Sequence, residues 1–136
     1  MGDGANRRVL VVEDEPLISL DIQAVLSEAG FDVVGTAETL IKAMEFAHDV
    51  EIEGAVVDMN LHGDITAPVV QKLLDQSIPV VLLTGYSSKA LAEPFCRCPL
   101  INKPYDSSHL VDTLQFAMGR AAARSSQPQQ TELRNS

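Results

Sequence analysis

Gly54-Ala55-Val56-Val57-Asp58 is an apolar run that ends on a charge. Small and β-branched residues without alternation describe a strand buried on both faces, the kind that fills a parallel sheet. A carboxylate closing such a strand needs a partner, because removing an ion from water costs several kcal/mol. Met59-Asn60-Leu61-His62-Gly63-Asp64 follow as turn formers. Asp58 is therefore expected at the carboxyl end of its strand, at the mouth of a sheet, where open α/β folds place their ligands.

Working outward in both directions, strands and helices alternate. Val9-Leu10-Val11-Val12 reads as a first buried strand, stopped by the acids Glu13-Asp14-Glu15 and by Pro16, a residue suited to the first helical position. Ile18, Ile22, Val25, Leu26 and Ala29 then form one helical stripe that Gly30 ends. Asp32 to Thr36 is a short second strand, and Leu40, Ala43, Met44 and Ala47 mark a second amphipathic helix. Beyond Asp58, Val69, Val70, Leu73 and Leu74 give a third helix, and Val80-Val81-Leu82-Leu83 a fourth strand ending at Thr84-Gly85. Ser87 to Phe95 carries a short, weak helical signal broken by Pro94, and Leu100-Ile101-Asn102 is a brief fifth strand stopped by Lys103-Pro104. Leu110, Val111, Leu114, Ala117 and Met118 define the last helix, capped by Asp106 or Ser107. Five βα units with buried strands predict an α/β fold: a five-stranded parallel sheet of order 2-1-3-4-5, flavodoxin-like, with helices on both faces.

Composition narrows the partners. At 136 residues and 46% hydrophobic, the chain makes one domain with a sizeable core. A net charge of -9 disfavours nucleic acid and other acidic partners but welcomes a cation. No apolar run approaches the ~20 residues of a membrane span, and no signal-peptide core follows the polar start, so a cytoplasmic protein is expected. Cys96 and Cys98 form a lone Cys-x-Cys without a second pair, which reads as two reduced thiols rather than a metal site. His48, His62 and His109 are expected on the surface or in packing, outside the pocket.

In the predicted strand order, Glu13, Asp14, Asp58, Thr84 and Lys103 all reach one edge of the sheet. Three carboxylates within about 5 Å of one another repel by roughly 3 kcal/mol per pair at an effective dielectric of about 20, so the pocket calls for a cation. Hard oxygen ligands favour Mg²⁺, with Mn²⁺ as a substitute. The set suits phosphoryl transfer to a carboxylate: Asp58 attacks phosphorus, while Lys103 and the Thr84 hydroxyl attend two phosphoryl oxygens.

Val11-Val12-Glu13-Asp14-Glu15-Pro16, Val57-Asp58-Met59-Asn60-Leu61, Leu83-Thr84-Gly85 and Asn102-Lys103-Pro104-Tyr105 together resemble a response-regulator receiver domain of two-component signalling. The resemblance covers residues 7–119. It leaves residues 1–6 as a flexible start and 120–136 as a helix extension with a disordered polar tail. It implies that Asp58 takes phosphate from a histidine kinase or histidine phosphotransfer protein, and that Glu13, Asp14, Asp58 and the Asn60 backbone carbonyl hold the metal. It further implies that Thr84 moves on phosphorylation and alters protein contacts with a downstream partner, so that the chain is a signalling switch and not an enzyme acting on other molecules.

Two departures stand out. Receivers usually carry an aromatic residue three positions before the lysine, where this chain has Leu100, and the Thr84–Leu100 connection is interrupted by proline. With Leu82-Leu83-Thr84-Gly85-Tyr86 they resemble the FAT GUY subgroup of single-domain receivers, and Tyr86 is the candidate to report the phosphorylated state. The polar tail, with no output domain after it, points to a single-domain regulator. A haloacid-dehalogenase-like phosphatase would want an acid at position 60, which is Asn, and a flavodoxin's phosphate would be repelled by Glu13-Asp14-Glu15. The remaining alternative is a receiver-fold interaction module that works without obligatory phosphorylation.

Overall fold

The computed structural model describes residues 7–49, 51–85 and 91–126, with side chains as far as residue 121. Five strands form one parallel sheet: β1 (Arg8–Val12), β2 (Asp32–Ala37), β3 (Gly54–Asp58), β4 (Val80–Thr84) and β5 (Leu100–Asn102). Their spatial order is β2-β1-β3-β4-β5, the arrangement anticipated from the alternating pattern. All five residues of β3 and of β4 are buried, as continuous apolar runs require.

Among the described residues, four α-helices cover the sheet: α1 (Pro16–Glu28), α2 (Leu40–Phe46), α3 (Ala67–Asp75) and α4 (Ser107–Ser126). Alternation along each strand divides the core into two layers. Leu10, Val12, Ala55, Val57 and Leu82 pack with Ala43, Val69, Val70 and Leu73 under α2 and α3. Val9, Val11, Val56, Val81 and Leu83 pack with Ile22 and Leu26 of α1 and with Leu110, Leu114 and Met118 of α4 on the other side. A one-residue slip of any central strand would exchange the two sets, so both layers hold the register that brings the strand ends level.

Local chemistry sets the helix ends. Pro16 opens α1, and Gly30, at φ +96°, turns the chain out of it. Thr39 caps α2 by accepting from the Lys42 amide at 3.2 Å. Asp106, one of the two expected caps, accepts from the His109 amide at 2.9 Å at the start of α4.

Two connections add detail to the sequence expectation. Of the weak helical signal read over residues 87–95, residues 87–90 lie outside the described residues; after Pro94 the chain makes a 3₁₀ turn over Phe95–Arg97. The turn after β3 is instead a small antiparallel hairpin, with Asn60 paired to Ile65 and Leu61 to Asp64. Its two connecting residues, His62 (φ +51°) and Gly63 (φ +95°), are both left-handed, which matches the primed turns that fit a two-residue hairpin.

Candidate functional site

Glu13 is the first residue beyond β1, tied to the sheet by its amide, which donates a hydrogen bond to the Ala37 carbonyl at 3.0 Å. Its side chain is fully buried. Asp58 ends β3, and its carbonyl accepts the buried Thr66 hydroxyl at 2.8 Å, which fixes the chain where it leaves the sheet. Lys103 follows β5, and its amide donates to the Thr84 carbonyl at 2.8 Å. Three strand ends therefore deliver three side chains to one point.

The contacts there are close. Lys103 Nζ lies 2.8 Å from Asp58 Oδ2 and 3.0 Å from Glu13 Oε1, with a further hydrogen bond to Glu13 Oε2 at 3.3 Å. Asp58 Oδ1 accepts from the Asn60 amide at 3.1 Å. One oxygen each of Glu13, Asp14 and Asp58 falls within 4.8 Å of the other two. The Glu13 Oε1 atom is buried, and its partner is the Lys103 ammonium as an ion pair, without a hydrogen bond. Three acids around one ammonium leave negative charge in excess, which matches the needs of a hard cation, and oxygen-only donors suit Mg²⁺ or Mn²⁺ better than a thiolate-seeking metal.

Burial acts most strongly on Glu13. Desolvation, helped by the Asp58 charge, pushes its carboxyl from 4.5 up to about 7 against the Glu15 amide and Lys103. Burial also pulls the Lys103 ammonium down, but its hydrogen bonds to Asp58 and Glu13 outweigh this and leave it raised. The consequence for stability has a definite sign. A proton on Glu13 is held more tightly folded than unfolded, so its contribution is complete below pH 4.5 and is lost as pH rises through about 7. We expect the metal-free protein in EDTA to lose about 3 kcal/mol between pH 5 and pH 8 from this group. Urea midpoints across that range check it, and Glu13→Gln should flatten the slope.

Asp14 belongs to the same cluster but is held from another side. Its Oδ2 accepts from the His62 amide at 2.9 Å, and the His62 ring Nδ1 lies 3.1 Å from the same oxygen. His62 was expected outside the pocket; the hairpin instead turns it onto a pocket carboxylate. The available signal was the left-handed turn that Gly63 invites, which reverses the chain and brings position 62 back across the strand end. Among the described residues, the hydrogen bonds of His48 and His109 are local, within or beside their helices.

Thr84 is buried at the end of β4, beside β3 and β5. Asn60 uses its side-chain oxygen to accept from the Gly63 amide at 2.7 Å, stiffening the hairpin. Leu100, at the position where an aromatic was anticipated, packs half-buried against the α2–α3 layer. Tyr86 lies outside the described residues. Tyr105, two residues beyond Lys103, donates its hydroxyl to Asp21 of α1 and so ties the lysine loop to that helix. The Cys98 thiol is pushed up to about 11 by burial, and Cys96 is raised by its hydrogen bond to Glu93; neither joins a metal-holding cluster among the described residues. No helix of the described chain is long and apolar enough to cross a membrane.

Comparison with known proteins agrees with this geometry. Residues 9–115 match the response regulator receiver domain family. The chain is 30% identical over 117 residues to the phyllosphere-induced regulator PhyR of Methylorubrum extorquens, covering 81% of this chain and 43% of that protein. It is 29% identical over 118 residues to the transcriptional regulatory protein PdtaR of Mycobacterium tuberculosis, covering 84% of this chain and 58% of that one. It thus spans about half the length of these curated relatives. The solution structure of SdrG from Sphingomonas melonis superposes with a TM-score of 0.72 at 31% identity, covering 84% of this chain and 97% of that one. Sheet order, strand-end acids and family match converge: this chain belongs to the response regulator receiver domain family, the signalling switches of two-component systems.

Proposed function

We propose that residues 7–119 form a phosphoacceptor unit in which Asp58 receives a phosphoryl group from a phosphohistidine. The observation that carries this reading is the Asp58 carboxylate itself: 8% exposed at the end of a buried strand, 2.8 Å from an ammonium and clustered with two further acids. In the transfer, an Asp58 oxygen forms the new bond to phosphorus as the phosphorus–nitrogen bond to the donor imidazole breaks. The imidazole leaves with the electron pair and takes up a proton from water, and an acyl phosphate remains on Asp58. Lys103, which neutralises Asp58 at rest, follows the negative charge to a phosphoryl oxygen. The Thr84 hydroxyl donates to another, which draws the end of β4 towards the new group and changes the surface presented to a partner.

Glu13, Asp14, Asp58 and the Asn60 carbonyl would hold Mg²⁺, or Mn²⁺ in its place, and the ion would supply charge neutralisation for the carboxylate and the phosphoryl oxygens. A histidine kinase or histidine phosphotransfer protein is the donor. The outward stripe of Leu17 and Leu20 on α1, directly after the acids of the pocket, offers such a donor an apolar footing. A downstream protein, rather than nucleic acid or membrane, reads the switch, in keeping with the charge of -9. Free thiols at Cys96 and Cys98 suit the cytoplasm, where such donors work. The chain's own chemistry ends with making and hydrolysing its acyl phosphate.

Acetyl phosphate replaces the protein donor in a direct test. With Mg²⁺ the protein should gain the mass of one phosphoryl group, read by intact mass spectrometry, and EDTA should prevent the gain. A protein that stays unmodified with metal present would instead support a binding module that works without phosphorylation.

A further inference from the structure

The hairpin beyond Asp58 does more than leave the sheet. Leu61 anchors it in the core at 1% exposure, the Asn60 side chain bonds the Gly63 amide at 2.7 Å, and two left-handed residues close it. The turn therefore has little freedom, and His62 at its tip is placed by the backbone. Although this side chain is 70% exposed, its ring nitrogen and its own amide both face Asp14 Oδ2, at 3.1 and 2.9 Å. An ionised carboxylate only accepts, so the ring nitrogen is the donor, and its hydrogen sits on Nδ1.

We propose that His62 is a positioning residue for the metal pocket: it clamps Asp14 through Oδ2 and so holds this carboxylate beside Glu13 and Asp58. This rests on the phosphoacceptor reading above and deepens it. Asp14 stands on the loop after β1, whereas His62 and Asn60 stand on the loop after β3, so the clamp joins two segments that each contribute to the cation site. Without it, Asp14 would have to be ordered at the moment of binding, at the cost of its rotamer freedom. Donors that hold ligating carboxylates act in this way, and their loss weakens metal binding without removing a ligand.

Direct titration of the full chain with Mg²⁺ by calorimetry, and with Mn²⁺ by the loss of its free-ion paramagnetic resonance signal, tests the clamp. His62→Ala should weaken both ions by about tenfold. His62→Asn should recover most of the loss, since Asn tolerates the left-handed backbone and keeps a short N–H donor. His62→Gly, which suits the left-handed backbone but has no donor, should bind as weakly as alanine. That contrast with asparagine separates positioning from disturbance of the hairpin, and urea midpoints in EDTA confirm that each variant is folded. Unchanged or tighter binding in His62→Ala would overturn the proposal, as would an asparagine variant no better than alanine. If the wild type takes phosphate while His62→Ala keeps its affinity, only the clamp fails. If the wild type binds neither ion, the metal reading of the pocket fails with it.

Discussion

Asp58→Asn should acquire no phosphoryl group from acetyl phosphate or from a phosphohistidine donor, while folding as well as the parent or better. The chemical half of this expectation is absolute, since an amide oxygen has neither the charge nor the basicity to attack phosphorus. The stability half follows from opposing terms of similar size. At an effective dielectric of about 20, the lost attraction between Asp58 and Lys103 amounts to roughly 6 kcal/mol, while the two repulsions with Glu13 and Asp14 that vanish amount to roughly 3 kcal/mol each. These cancel, and the relief of burying one charge fewer tips the balance towards the variant. The Asn side chain can still accept from the Asn60 amide, which keeps the start of the hairpin in place. Intact mass and a urea midpoint at pH 8 in EDTA, taken on one sample, read both halves. A variant that still gains a phosphoryl group places the acceptor elsewhere, and one that unfolds shows that the ion pair outweighs the repulsion.

Lys103→Met should produce the largest loss of stability in the site. Lys103 is the cation bridging Glu13 and Asp58, at 3.0 and 2.8 Å, and it is itself only 20% exposed. Removing it leaves clustered acids in a poorly solvated cleft, a change that costs about 3 kcal/mol when one partner of a buried pair is deleted. The deficit should be greatest at pH 8 and shrink towards pH 5. Glu13, already raised by burial to about 7, rises further without the ammonium and takes up a proton, which removes the uncompensated charge. Mg²⁺ should restore part of the stability at pH 8, because it replaces the missing positive charge and binds only the folded form. Phosphorylation by acetyl phosphate at saturating Mg²⁺ should slow by roughly 10²-fold, the usual effect of losing one group that stabilises charge in transfer. A urea series at the two pH values, with EDTA or Mg²⁺, checks the first claims. A deficit that does not vary with pH would mean that Lys103 acts through packing of its stem and not through its charge.

Legibility of the fold came from the contrast of two periods. Val9–Val12, Gly54–Val57 and Val80–Leu83 are too short for buried helices, lack alternation, and are each followed by a turn signal and a helical stripe. The connection between β4 and β5 was less legible, because its helical pattern is short and meets Pro94; in the described part the chain makes a 3₁₀ turn over Phe95–Arg97. The candidate site was legible where its residues end strands. Glu13, Asp58 and Lys103 each interrupt or close an apolar run with a charge, and such a charge has nowhere to go except the sheet's open edge. His62 lacked this mark, since it lies in a polar turn where histidine is ordinary.

The sequence by itself determined which segments become strands, in what order they stack, and which carboxylates and ammonium emerge at one edge, because these follow from hydrophobic period and the handedness of βαβ crossovers. Only the tertiary structure decided how those groups share their charge. Lys103 reaches both Glu13 and Asp58 across segments 90 and 45 residues away, and the degree of burial that raises Glu13 is a property of the assembled cleft. The grip of His62 on Asp14, 48 residues apart, likewise depends on the left-handed backbone at the hairpin tip and on a neighbour that local pattern does not encode.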